Sequence, residues 1–306
     1  MKNMSALKGI FYKAGVRAGR YGLPVVEGLG VFRFPRVVRV ESTDICNASC
    51  TTCTREMMTR AEGVMDMGLY KKIVDECGLH KLKAIHLHNF GEPLMDKFLF
   101  ERIKYAGEKG IATKLFSNFS LLDEDKAKKL VASGLGMIKV SIDGNSKETF
   151  ETIRRGIKFD RVVRNIETLI DVRRKSASKT PRIGLVFVET EKNRFEREAF
   201  VKRWKGRVDS IHISSYHNWG GSLDSSRAME TRGLPCLRIW RTFTVLWNGD
   251  AALCCMDYDG KVILGNVKKD TISAIFNGEK LRKIREYHLR GEFNRIPICL
   301  RCEARR

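Results

Sequence analysis

Three cysteines fall within eight residues in the run CNASCTTC, at Cys46, Cys50 and Cys53, directly after the β-rich stretch RVVRVESTDI. Spacings of four and three allow three thiolates to take three corners of a metal cluster and leave the fourth corner without a protein ligand. A structural zinc ion is closed in by four ligands, and no fourth lies nearby in the sequence. Cluster iron held by cysteine is the better chemical match, with zinc and incidental thiols as the alternatives. A second set, Cys236, Cys254, Cys299 and Cys302, reads C-x12-G-x4-C followed by a CxxC, with Gly249 as the glycine. A zinc ribbon would also use a CxxC and two further cysteines. Of the remaining thiols, Cys77 continues the apolar stripe of Leu69, Ile73 and Val74 and reads as core, while Cys255 adjoins Cys254.

Elements to position these groups are legible. From about residue 36, short β-rich runs alternate with stretches of helical periodicity: RVVRVEST, KAIHLHN, ATKLFSN, MIKVSID, RIGLVFVE and SIHISSYHNW are the expected strands. Between them MGLYKKIVDECG and DEDKAKKLVASG carry apolar residues three and four apart and stop at Gly. Six such units predict an α/β fold, a partly open (β/α)6 barrel whose functional groups gather at the strand C-termini. After Trp219 a polar connector, GGSLDSSRAMETRGLP, leads to a hairpin expected to turn at Asn248-Gly249, then to one helix over TISAIFNGEKLRKIREYHL. The expected division is therefore a basic segment over 1–35, a barrel over 36–220 and a small cysteine-bearing α+β domain over 221–306. His86 and His88 share one face of the second strand, opposite Ile85 and Leu87.

With these residues in view, CNASCTTC resembles the CxxxCxxC signature of radical S-adenosylmethionine (radical SAM) enzymes, with Thr52 where that family usually has a bulky residue. The resemblance implies a 4Fe-4S cluster on Cys46, Cys50 and Cys53, S-adenosylmethionine (SAM) bound at its open iron, and a 5'-deoxyadenosyl radical that removes hydrogen from substrate. NFGEPL is similar to the family's GGE motif, with Phe90 for the first Gly, which implies that Glu92 accepts the SAM ammonium group. By the same resemblance Asn118 in FSN and Ser141 and Asp143 in SIDG face SAM, and Arg154 in IRRG is a carboxylate partner. The second cysteine set resembles the SPASM extension in its short, Twitch form, which implies one auxiliary 4Fe-4S cluster on Cys236, Cys254, Cys299 and Cys302. Cys255 then becomes the expected hydrogen-atom donor of an epimerase.

Length, composition and charge bound the rest. The 306 residues, 43% of them hydrophobic, can bury a sizeable core, and nine cysteines without a signal-peptide pattern predict a reduced, cytoplasmic setting. The net charge of +21 is concentrated at the ends, residues 1–40 contributing +7 and residues 280–306 +6. The segment ALKGIFYKAGVRAGRYG reads as a basic amphipathic helix, which offers an anionic membrane surface as a partner. The expected reaction is epimerisation or dehydrogenation of a small carbohydrate or polyol-like substrate or glycan, with flavodoxin or ferredoxin as electron donor. Radical modification of a ribosomally made peptide is the alternative. A zinc-bearing RNA-binding protein is the alternative of another class, although nucleic acid is not the expected partner.

Overall fold

The computed structural model describes residues 33–223 and 235–303, so the predicted N-terminal helix and most of the polar connector lie outside the described residues. The chain divides into two compact units, one of Val38–Tyr216 with Val245–Gly249 and a second formed by the rest. In the first unit six strands, β1 (Val37–Val40, its first residue in the second unit), β2 (Ala84–His86), β3 (Ala112–Ser117), β4 (Met137–Ser141), β5 (Arg182–Glu189) and β6 (Ser210–Ser215), pair in chain order, all parallel. This is the partial barrel expected from the repeated βα pattern.

Strand alternation explains the two faces of the sheet. Val38, Val40, Ile85, Leu115, Ile138 and Leu185 are fully buried on one side, and Phe187 meets Phe200 of the outer helix Arg197–Trp204 on that side. The helices between strands are started by side chains that accept the first unpaired amides. Asp66 caps α1 (Met67–Leu79) through Leu69 N at 2.9 Å, and Asp123 caps the helix Glu124–Ala132 through Lys126 N at 2.7 Å. Cys77 is fully buried in α1 beside Ile73 and Val74.

Several boundaries differ from expectation. The first, second and last expected strands run on to Thr43, Asn89 and Trp219, whereas the ladders end at Val40, His86 and Ser215, where the chain leaves the sheet for strand-end loops. The single helix expected over 271–289 is two, Ile272–Phe276 and Glu279–Arg290. Gly278 stands between them with extended backbone at φ −70° and ψ 162°, and Asn277-Gly278 is a weak helix-forming pair. The hairpin strands Thr242–Val245 and Asp250–Ala252 are joined by a turn in which Gly249 N donates to Leu246 O at 2.9 Å, with Gly249 at φ +93°. Among the described residues no helix is long and apolar enough to cross a membrane.

Candidate active site

Cys46, Cys50 and Cys53 occupy the loop after β1, all partly accessible, and Cys53 N donates to Cys50 O at 3.1 Å. Ser49–Cys50 forms a short antiparallel ladder with Arg154–Arg155, which brings a guanidinium to the loop: Arg154 Nη1 lies 3.8 Å from Cys50 Sγ. Arg154 is held in place by Asp143, through Nε at 2.8 Å and Nη2 at 2.7 Å to one carboxylate oxygen. The other oxygen of Asp143 accepts from Val188 N at 2.8 Å, and the residue has no exposed surface. Asp143 is thus engaged on both sides within the protein and positions Arg154. Ser141 ends β4, half-buried.

The loop after β2 closes on the cysteine loop because Gly91 has no side chain: a Cβ there would lie 2.3 Å from Thr43 O. Glu92 N then donates to Ile45 O at 2.9 Å. The Glu92 carboxylate is 1% exposed and accepts from Ser117 Oγ at 2.6 Å, Asn118 N at 2.6 Å and Leu94 N at 3.1 Å. Burial raises its pKa, and those donors together with Arg154 oppose the rise. Asn118 Nδ2 donates to Asn47 Oδ1 at 3.0 Å and lies 3.9 Å from Cys46 Sγ, so the end of β3 is tied to the same loop. The structure therefore brings Cys46, Cys50, Cys53, Glu92, Asn118 and Arg154 to one end of the parallel sheet. Burial pushes the Cys46 thiol up to about 11 and also raises Cys50 and Cys53. Thiols so disposed become ligands when a cation compensates the thiolate charge. Unanticipated in the sequence is Arg60, which clasps the buried Glu41 and Asp44 at 2.7 Å each and braces the strand that leads to the cysteines.

In the second unit one cavity is lined by Cys236, Cys254, Cys299 and Cys302 together. Ile239, Leu253, Met256 and Ile298 complete an apolar wall, and Met256 N donates to Cys254 Sγ at 3.4 Å. No disulfide forms among the nine cysteines, all of which are described. Four thiols around one apolar cavity, with an amide pointing at sulfur, fit an iron-sulfur cluster. Cys255 is not part of that lining; its Sγ lies 3.1 Å from Arg238 Nη1.

A parallel βα sheet with a three-cysteine loop at its C-terminal end and a second cysteine cavity in a separate unit defines an iron-sulfur enzyme class. The sequence model described as the Radical SAM superfamily matches residues 40–197, and the iron-sulfur cluster-binding domain SPASM matches residues 236–303. The chain belongs to the radical SAM superfamily; its cofactors are SAM, a 4Fe-4S cluster and auxiliary iron-sulfur in the C-terminal domain. Among curated relatives it is 26% identical over 159 residues, 50% of this chain, to the tungsten-containing aldehyde ferredoxin oxidoreductase cofactor-modifying protein of Pyrococcus furiosus. It is 29% identical over 187 residues, 60% of this chain, to a probable GTP 3',8-cyclase of Saccharolobus islandicus. The chain spans 44% and 58% of the length of those two relatives. Of solved structures, BtrN in complex with AdoMet and 2-DOIA matches with a TM-score of 0.61 at 19% identity, over 88% of this chain and 93% of that one. Streptococcus suis SuiB bound to the precursor peptide SuiA matches with a TM-score of 0.70 at 13% identity, over 93% of this chain and 74% of that one.

Proposed function

We propose that the protein is a radical SAM oxidoreductase or epimerase that attacks a carbon-hydrogen bond of a carbohydrate or polyol-like small molecule. The observation that carries the substrate class is the mutual coverage with BtrN in complex with AdoMet and 2-DOIA, which extends over nearly the whole of both chains. Radical modification of a peptide is the second reading, favoured by the higher TM-score to SuiB; a quarter of that chain has no counterpart here.

In this reading Cys46, Cys50 and Cys53 hold the catalytic cluster and Cys236, Cys254, Cys299 and Cys302 a single auxiliary one. When bound, SAM and the catalytic cluster supply the 5'-deoxyadenosyl radical that takes hydrogen from substrate, and the auxiliary cluster an electron acceptor. Glu92, already presented by three donors, accepts the SAM ammonium. Asn118 and Ser141 face the same ligand from the ends of β3 and β4, and Arg154, aimed by Asp143, meets its carboxylate. Cys255 serves as hydrogen-atom donor if the outcome is epimerisation; a dehydrogenase has no use for one. Reducing equivalents come from a flavodoxin or ferredoxin of the cytoplasm, and the basic segment 1–35 docks on an anionic membrane surface.

The test is to incubate reconstituted enzyme, SAM and dithionite with carbon-deuterated sugars and cyclitols, or with deuterated peptides, and follow the label. Deuterium in 5'-deoxyadenosine from the polyol pool alone is expected. Transfer from peptides alone overturns the proposed class. In deuterated water, an inverted product carrying solvent deuterium that Cys255→Ala abolishes identifies epimerisation, and an unlabelled carbonyl product identifies dehydrogenation.

A further inference from the structure

Strand alternation sends Arg39 of β1, His86 and His88 at and beyond the end of β2, Lys114 and Phe116 of β3 and Lys139 of β4 to the inner face of the barrel, away from the helices. Register sets Arg39 beside His86 and His86 beside Lys114, with Lys139 beside Phe116 on the next row. These neighbours are in contact. Arg39 Nη1 lies 3.1 Å from His88 Nε2, the His88 and Phe116 rings are 4.6 Å apart, and Lys139 Nζ stands 5.4 Å from the Phe116 ring. The rings of His86 and His88 stack at 5.6 Å.

Three of these side chains are cations, and among the described residues none of the three has an ion-pair partner. The one carboxylate that follows them on the same face of β1, Glu41, is committed to Arg60 at 2.7 Å and also accepts from Trp247 N at 3.2 Å. Half-buried cations of one sign repel each other more strongly than they would in water, and no carboxylate among the described residues pairs with them.

A second observation points the same way. His88 is 5% exposed, and its Nδ1, like that of His86, has no hydrogen-bond partner. Since Arg39 donates to His88 Nε2, a neutral His88 carries its hydrogen on Nδ1, a buried donor that makes no well-formed hydrogen bond, with only the Lys114 backbone near the ring. Burial, reinforced by Arg39, keeps both imidazoles neutral. Gly184 lies between Lys139 and Ser210 in the register, and because a Cβ there would sit 2.7 Å from Ser210 Oγ and 3.4 Å from Lys139 Cγ, the glycine lets these two side chains pack over the strand on this face.

We infer that the inner face of the barrel binds an oxyanion of the substrate, a phosphoryl or carboxyl group taken by Arg39, Lys114 and Lys139 with a further hydrogen bond from His88. This deepens the polyol reading and rests on it: the polyol is an anionic one. Lys114 precedes Asn118 by four residues, roughly 13 Å along an extended strand. A sugar-sized body therefore fits between the anion and a carbon reacting at the strand ends.

The test is equilibrium dialysis of the reconstituted holoenzyme against radiolabelled inorganic phosphate and, separately, acetate. Wild type binds at least one of them, and the tighter of the two names the group. Lys114→Gln/Lys139→Gln weakens binding by about tenfold or more, while Lys104→Gln/Lys202→Gln, which removes the same charge from exposed helix positions, changes it by less than about twofold. Lys114→Arg/Lys139→Arg keeps the charge and retains binding, which separates loss of charge from loss of fold. Absence of binding by wild type, or equal weakening by the two Gln pairs, overturns the inference. Substrate-free SAM cleavage by the same wild-type preparation is measured in parallel: its absence sinks the radical reading itself, and intact cleavage without anion binding sinks the oxyanion site alone.

Discussion

His86 shows how far a single side chain can be read from its surroundings. Burial first, then Arg39, Lys114 and Lys139, lower its pKa to about 4 from the usual 6.5. The unfolded chain then binds more protons between those values, so this residue's contribution to stability is complete above pH 6.5 and is lost as pH falls toward 4. A shift of this size corresponds to about 3 kcal/mol. Denaturant melts of wild type and His86→Gln at a series of pH values should show a steeper acid-side loss in wild type; parallel curves would mean that His86 is not buried beside these cations. At this scale the sequence was informative about chemistry and silent about partners. Cys46, Cys50 and Cys53 could be singled out because their spacing is itself unusual. Arg39, Lys114 and Lys139 could not, because a cation alternating with valines and leucines looks the same on a solvent face as on an enclosed one. The engagement of Asp143 by Arg154 and Val188 was also hidden, since it depends on a ladder between two loops far apart in sequence.

Elements are joined at the site by backbone contact as much as by side chains. Gly91 permits the β2 loop to approach Thr43, and Gly144 likewise lets the turn after β4 approach the helix that follows, where a Cβ would lie 2.7 Å from Phe150 N. Gly91→Ala must push the two strand-end loops apart. A destabilisation of about 1–3 kcal/mol is expected, with reduced iron retention, because Glu92 and the cysteine loop move together; unchanged thermal melting and iron content would show that the loops yield without cost. Strand centres were legible from β-branched alternation and the helices from apolar periodicity, while the capping by Asp66 and Asp123 is seen in the structure. Strand ends were less so, because Ser42, Thr43 and the polar residues after Ser215 continue an extended pattern after leaving the ladder. The split at Gly278 is hidden by apolar residues that continue at short spacings beyond it, although on one continuous helix Leu281 and Ile284 would fall roughly opposite Ile272, Ile275 and Phe276.

At the scale of the whole molecule, cysteines gather in two places, one in each compact unit, and the central claim is that the first group holds the cluster that runs the chemistry. The charge of +21 belongs mainly to the chain ends and says little about either group. The most direct measurement is made on the holoenzyme with Cys46, Cys50 and Cys53 all changed to Ala, reconstituted beside wild type and assayed for iron and for 5'-deoxyadenosine under dithionite. The account predicts a loss of about half the iron, retention of the remainder in the cavity of Cys236, Cys254, Cys299 and Cys302, and no 5'-deoxyadenosine. Continued formation of 5'-deoxyadenosine by the triple variant, or an iron content equal to that of wild type, would contradict it.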